Sequence, residues 1–168
     1  MSMNDVLRTT LAAFQDPAIG LEAQVQTLIG QGQPSVRTDF AFGKWTVRQA
    51  LRDTRTPSVT ISPQTGADEV AVEQTGHADN VQDIQIALEY FDAEPDARQD
   101  AIAVIQAAVL MVLTHLVTYS QANVVPGTSA IYDVVSPAVT TYGEFESPAT
   151  VIGAGFITRV TLRERSKQ

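Results

Sequence analysis

Apolar side chains recur at helical spacing twice near the start of the chain, first at Val6, Leu7, Leu11 and Phe14, then at Leu21, Val25, Leu28 and Ile29. This rhythm predicts two short helices with one buried face each. Asp16-Pro17 separates them, Gly30 and Gly32 end the second, and Pro34 opposes its continuation. Residues 1–33 therefore form a helical N-terminal arm, and 31–42 read as a loop or extended arm. Residues 44–55 are ambiguous in their period.

From Pro57 the period becomes two. Val59 and Ile61 alternate with Thr60 and Ser62, and Val70 and Val72 alternate with Glu69, Ala71 and Glu73. These segments predict strands joined by a turn around Pro63-Gln64-Thr65-Gly66. A loop over 75–80 then leads to the clearest strand, where Ile84, Ile86, Leu88 and Tyr90 alternate with Asp83, Gln85, Ala87 and Glu89. One side of such a sheet is covered, and the other meets water or a polar partner.

A helix follows over 97–119. Glu94 and Asp96 crowd its first turn, and Asp96 with Gln99 three residues on has the spacing of a capping box. Ile102, Ile105, Val109, Val112 and Leu116 form one stripe, while Val104, Ala108, Leu110 and Met111 carry apolar surface around the cylinder. A helix apolar nearly all round is buried on several sides. One sheet cannot cover it, so the N-terminal helices supply a second cover, with self-association as an additional source. Asn123, Pro126 and Gly127 stop the helix, and strands follow over 131–135 and 156–162. The connection 136–155 exceeds a tight turn and predicts a long β-arm or a functional loop. The fold class is a single α+β domain, 1–168, with a mainly antiparallel sheet packed by one long central helix and the N-terminal helices.

Composition narrows the chemistry. The chain has 168 residues, no cysteine and a net charge of −8, so neither disulfides nor cysteine nucleophiles enter. Affinity for nucleic acid draws on clustered Lys and Arg neutralising phosphates, which an acidic chain disfavours. Phe40, Phe42 and Trp45 lie among Arg37, Lys44, Arg48 and Arg52, a mixture read as interface or core ahead of a base-stacking surface. Met1-Ser2-Met3-Asn4-Asp5 lacks the basic start of a targeting signal, which predicts a product made in the cytoplasm. The apolar run 101–117 contains Gln106, Thr114 and His115 and reads as a buried helix, with no membrane partner.

Catalytic motifs do not emerge. His77 and His115 are the two histidines, one in an acidic loop and one inside the apolar helix, and neither has a triad setting. Asp92, Glu94 and Asp96 begin like a calcium loop, but Ala97 stands where the turn glycine belongs and Ala103 where the bidentate glutamate belongs. Gly43-Lys44 lacks the rest of a phosphate loop, and Gly153-Ala154-Gly155 reads as a flexible bend. The expectation is a non-enzyme with no cofactor and no metal.

Charge is uneven. Over 68–100 ten carboxylates face the single base Arg98, whereas 37–55 and 159–167 are each basic by three. Such runs are solvated faces whose charges meet inside the fold, or unlike patches that join neighbouring copies head to tail and close a ring. The candidate interface residues are Asp68, Glu69, Glu73, Asp83 and Glu89 on the acidic side, and Arg159, Arg163 and Arg165 on the basic side.

The order of elements, from the N-terminal helix through the strands at 59–61 and 84–90, the helix from Ala97, the strand at 131–135, the long loop and the closing Phe156-Ile157-Thr158-Arg159-Val160-Thr161-Leu162, resembles the tail terminator proteins of long-tailed bacteriophages. The likeness spans most of 1–165 and is one of order, length and hydrophobic rhythm. It implies a structural virion protein of the tail or neck, a hexameric homo-oligomer ring on the tail tube. The implied partners are the tail tube protein and a head-tail connector or stopper, with DNA only in transit through the lumen. The acidic run is then expected to face that lumen. Another connector or head-completion protein is the nearest alternative, and a small ligand-binding module or enzyme the more distant one.

Overall fold

The computed structural model describes residues 3–43, 56–63, 69–72, 77–124, 130–135, 139–146 and 152–167. Helix α1 (Met3–Gln15) buries Val6, Leu7, Ala13 and Phe14. Thr10 lies on the same face, and its hydroxyl donates to the Val6 carbonyl at 2.8 Å, which removes the penalty of burying it. Asp16 turns the chain by accepting the Ala18 and Ile19 N–H groups on Oδ1, at 2.8 and 3.1 Å. Gly20 follows because the corner has no room: an added Cβ would sit 2.4 Å from the Asp16 carbonyl oxygen. Helix α2 (Leu21–Gly30) then packs on α1 and is closed off by Gly32, whose φ of +92° turns the chain so that the following Gln33 N–H donates back to the Leu28 carbonyl at 3.1 Å.

Residues 33–40 run extended, with Val36 and Phe40 buried, and continue into strand β1 (Ala41–Gly43). The remaining strands are β2 (Ser58–Pro63), β3 (Glu69–Val72), β4 (His77–Phe91), β5 (Ala130–Val134), β6 (Val139–Glu146) and β7 (Ile152–Lys167). They form one sheet of order β1-β2-β4-β7-β5, in which β3 also pairs β4 and β6 also pairs β7. All pairings are antiparallel except β1 with β2.

Two long strands form its centre. β4 and β7 pair from His77 opposite Lys167 to Phe91 opposite Gly153. On the far edge of β4, β2 lies opposite 89–84 and β3 opposite 81–78, both running the same way. They are successive pieces of one line along β4; the two strands expected here are present, and the turn expected between them around Pro63-Gln64-Thr65-Gly66 falls on 64–68, outside the described residues. On the far edge of β7, β5 lies opposite 165–162 and β6 opposite 159–152. Of the connection 136–155, residues 139–146 are thus strand, and Gly153-Ala154-Gly155 is regular β7 rather than a bend. The loop expected over 75–80 is shorter, since β4 already begins at His77.

Helix α3 (Pro95–Ala122) crosses the sheet. Its N-cap is Glu94 with Pro95 at the first helical position, and no side-chain cap is made. The Asp96–Gln99 capping box is therefore not the device used. Pro95 moves the start two residues earlier because its fixed φ suits the first turn and its missing N–H is one the helix would leave unpaired. Asp92 instead orders the approach, accepting the Glu94 N–H on Oδ1 at 3.0 Å.

The core lies between α3 and the sheet and between α3 and the first two helices. From α3 it takes Ile105, Ala108, Val109, Val112 and Leu116, from β4 Ile84, Ile86 and Leu88, and from β7 Phe156, Val160 and Leu162. α1 and α2 both pack on α3, which is the second cover its apolar surface required. Ser120 joins α3 to the edge: its buried hydroxyl accepts the Ile131 N–H, beside the bulge between Ile131 and Asp133.

Candidate interaction surfaces

The alternation of β4 and β7 divides their residues between two faces. Even-numbered 84–90 and 154–162 are buried under α3, while 81, 83, 85, 87 and 89 of β4 stay partly open, as do 157, 161 and 163 of β7. Arg159 is exposed there. The register sets Asp83 directly opposite Thr161, which makes Arg159 and Arg163 its two diagonal neighbours on the next strand. Thr161 donates its hydroxyl to Asp83 Oδ1 at 2.6 Å. At the other end of this face, the Ser58 hydroxyl donates to Glu89 Oε2 at 3.4 Å.

Four of the eight expected charged residues, Asp83, Glu89, Arg159 and Arg163, therefore share one open sheet face within a single copy. Glu69 is registered opposite Val81, and Arg165 opposite Asp79 and Ala130. Asp68 and Glu73 lie outside the described residues. Acidic and basic runs distant in sequence are thus brought side by side, and the face is polar and of mixed sign. A second group of carboxylates sits at the β4–α3 corner, where Glu94, Asp96 and Asp100 are exposed. Arg98 turns inward from this corner and donates from Nη1 to the Asp92 carbonyl at 2.7 Å.

A different surface has almost no charge. From Ala101 to Tyr132 the sequence contains no Asp, Glu, Lys or Arg, and α3 nevertheless presents Ala103, Leu110, Thr114, His115 and Thr118 outward. By length and composition α3 is apolar enough to cross a membrane, yet half of its most apolar window is buried within this fold, as expected of a core helix. Among the described residues the large exposed apolar ones are Leu110, Val124, Tyr132 and Val135; Tyr132, 48% exposed, lies in β5 and Val135 directly follows it. Charge-based reading missed them. The usable signal was the long uncharged run continuing past the end of α3 to Tyr132, which stands at the bulge between Ile131 and Asp133, where the strand's alternation is interrupted.

At the opposite end of the strand order, beside β1, a cleft of about 540 Å³ opens between the α1–α2 corner and the extended arm. Its lining mixes apolar Phe14, Pro17, Ala23, Phe40 and Phe42 with polar Gln15, Asp16, Glu22, Gln26 and Thr38. The Phe40 and Phe42 rings are tilted by 52° at 6.3 Å between centroids, an attractive edge-inclined geometry. Of the aromatic and basic residues singled out from the sequence, Phe40 and Phe42 are thus core and cleft, while Trp45 and the bases from Lys44 to Arg55 lie outside the described residues. Arg37 is exposed and paired with Asp39. The guanidinium donates from Nε to Asp39 Oδ1 at 3.0 Å, and this hydrogen bond holds the carboxyl below its ordinary pKa and raises that of the arginine. Burial pushes the Tyr90 phenol up, against a hydrogen bond to the Arg37 backbone.

Among the described residues no group of three His, Cys, Asp or Glu side chains is arranged to hold a metal ion. His115 is on the outward face of α3, and His77 opens β4.

No family model matches the chain, and no curated protein matches it. Among solved structures it is similar to a chain of the virion of a native gene transfer agent (GTA) particle, with 16% identity over 94% of each chain and a TM-score of 0.43. A likeness of that size carries no argument about activity or assembly.

Proposed function

We propose that this chain is a structural virion subunit that works by assembly, a tail terminator whose copies form a ring capping the tail tube and meeting a head-side connector. The observation that carries this reading is the sheet with two unlike open edges: among the described residues, β1 and β3 bound one edge, and β5 and β6 the other. An open edge exposes unpaired backbone donors and acceptors and invites another strand. Joining unlike edges is a heterologous contact, and repetition closes a ring when the rotation permits. Directions agree with that junction, because β6 runs antiparallel to β7 and β1 runs parallel to β2, so an edge-to-edge contact continues the alternation of the sheet.

The polar sheet face suits a lumen through which DNA passes without being gripped, since Asp83 and Glu89 offset Arg159 and Arg163. This tempers the uniformly acidic lumen expected from sequence, because part of the acidic surplus sits at the β4–α3 corner. Catalysis has no part in the proposal.

The test is to add the purified protein to growing tail tubes and image them by electron microscopy. The reading expects rings at one tube end and arrested elongation. Tubes that grow on unoccupied, or a metabolite turnover abolished by His115→Ala or His77→Ala, would overturn it.

A further inference from the structure

The edge bounded by β5 and the cleft beside β1 differ in shape in a complementary way. We infer that Tyr132 of one copy seats in the Phe14–Phe40–Phe42 cleft of the next, with Val135 of the same strand end beside it; this rests on the ring reading and names its anchor. The occupant is a second copy of this chain for three reasons. The projecting aromatic and the aromatic-lined cleft stand at opposite ends of the strand order β1-β2-β4-β7-β5, so each copy offers one of each. Tyr is among the residues enriched at the energetic centres of protein interfaces, and the cleft offers it both aromatic and polar partners. The cleft volume is also within the range of roughly 300–1,000 Å³ that accepts a ring and its neighbours.

The geometry of repetition is consistent with a closed sheet. Phe42 is level with Leu88 through Val59, and Tyr132 lies between the positions level with Asn80 and Val81. The two levels are therefore about seven residues apart along β4, or about 24 Å at 3.3–3.4 Å per residue. Five strands at about 4.8 Å span a similar width of about 24 Å. Bringing Tyr132 to the cleft thus tilts the strands by about 45° to the ring axis, beside the roughly 35–45° found in closed barrels. An isologous pairing of two β5 edges would leave the cleft unfilled and would end assembly at a dimer.

Because the chain has no cysteine, the contact can be trapped directly. Val135→Cys and Gln26→Cys replace exposed residues, one beside the projecting Tyr132 and one lining the cleft, and leave the anchor in place. At high protein concentration, oxidising an equal mixture of the two single variants should give a several-fold excess of cross-linked dimer over either variant alone. The doubly substituted chain should give a ladder that stops at the ring. Adding Tyr132→Asp to Val135→Cys should abolish that excess while the circular dichroism of the monomer is unchanged. Dimers of Val135→Cys with itself, no excess in the mixture, or an excess that survives Tyr132→Asp would overturn the inference. Tube-end binding without the cross-link would refute this contact and leave the terminator reading intact, whereas the cross-link without tube-end binding would refute the terminator and leave the contact.

Discussion

Replacing Ser120 by alanine removes one oxygen atom and isolates how α3 holds the edge of the sheet. The Ser120 hydroxyl is buried at 1% exposure, accepts the Ile131 N–H and lies 3.4 Å from the Ile131 carbonyl oxygen. Ile131 is itself completely buried and sits beside a bulge, where regular ladder bonds fail. In Ser120→Ala the N–H has no partner and no access to water, and leaving a buried donor unsatisfied costs about 1–3 kcal/mol. In a domain of this size each kcal/mol lowers Tm by roughly 2–4 °C, so calorimetry should record a fall of roughly 2–12 °C. Thr114→Ala is the control: Thr114 also bonds a helical carbonyl, Met111 at 2.7 Å, but is exposed, so its effect should stay within about 0.5 kcal/mol. Equal effects of the two substitutions would refute the claim that this hydroxyl secures β5. The consequence reaches assembly, since β5 carries Tyr132.

Further expectations follow from packing and burial. Gly20→Ala forces a Cβ to 2.4 Å from the Asp16 carbonyl oxygen and 2.5 Å from that of Phe14, so the corner must shift, costing about 1–3 kcal/mol or more in chemical denaturation; an unchanged midpoint would show a looser corner. Leu116→Ala opens a cavity under a fully buried side chain and should cost about 2–5 kcal/mol, whereas Leu110→Ala on the outward face should cost far less. Tyr90 has a folded pKa raised above 10.0 by burial. Its contribution to stability is therefore complete below the unfolded value and lost as pH rises through the folded one; urea midpoints should fall in alkali for the native chain and less so for Tyr90→Phe.

Much of this architecture was legible in the residues because two periods were unusually clean. The alternation from Asp83 to Tyr90 identified both the strand and its covered face, and the apolar cylinder from Ile102 to Leu116 required cover on two sides, as α1, α2 and the sheet supply. Long-range pairing left no such trace. Nothing in Ser58–Pro63 or Glu69–Val72 says that both lie along one edge of β4, because two collinear pieces and a hairpin have the same local pattern. The start of α3 was misread because Asp96 and Gln99 have box spacing, while Pro95 at the first helical position decides the geometry. For the candidate surfaces, charge runs directed attention to Asp83, Glu89, Arg159 and Arg163, which the register brings together within one copy. The exposed Tyr132 beside Asp133 was overlooked, since a lone aromatic in a strand reads as core until its neighbours are known.

The central claim is that copies join through opposite edges of one sheet. Reconstruction of the assembled particle by electron cryomicroscopy tests it most directly. The account predicts a closed ring in which β5 of each copy lies against β1 of the next and Tyr132 occupies the cleft beside Phe42. Neighbours meeting through the outward face of α3, or two-fold pairs joined β5 to β5, would contradict it.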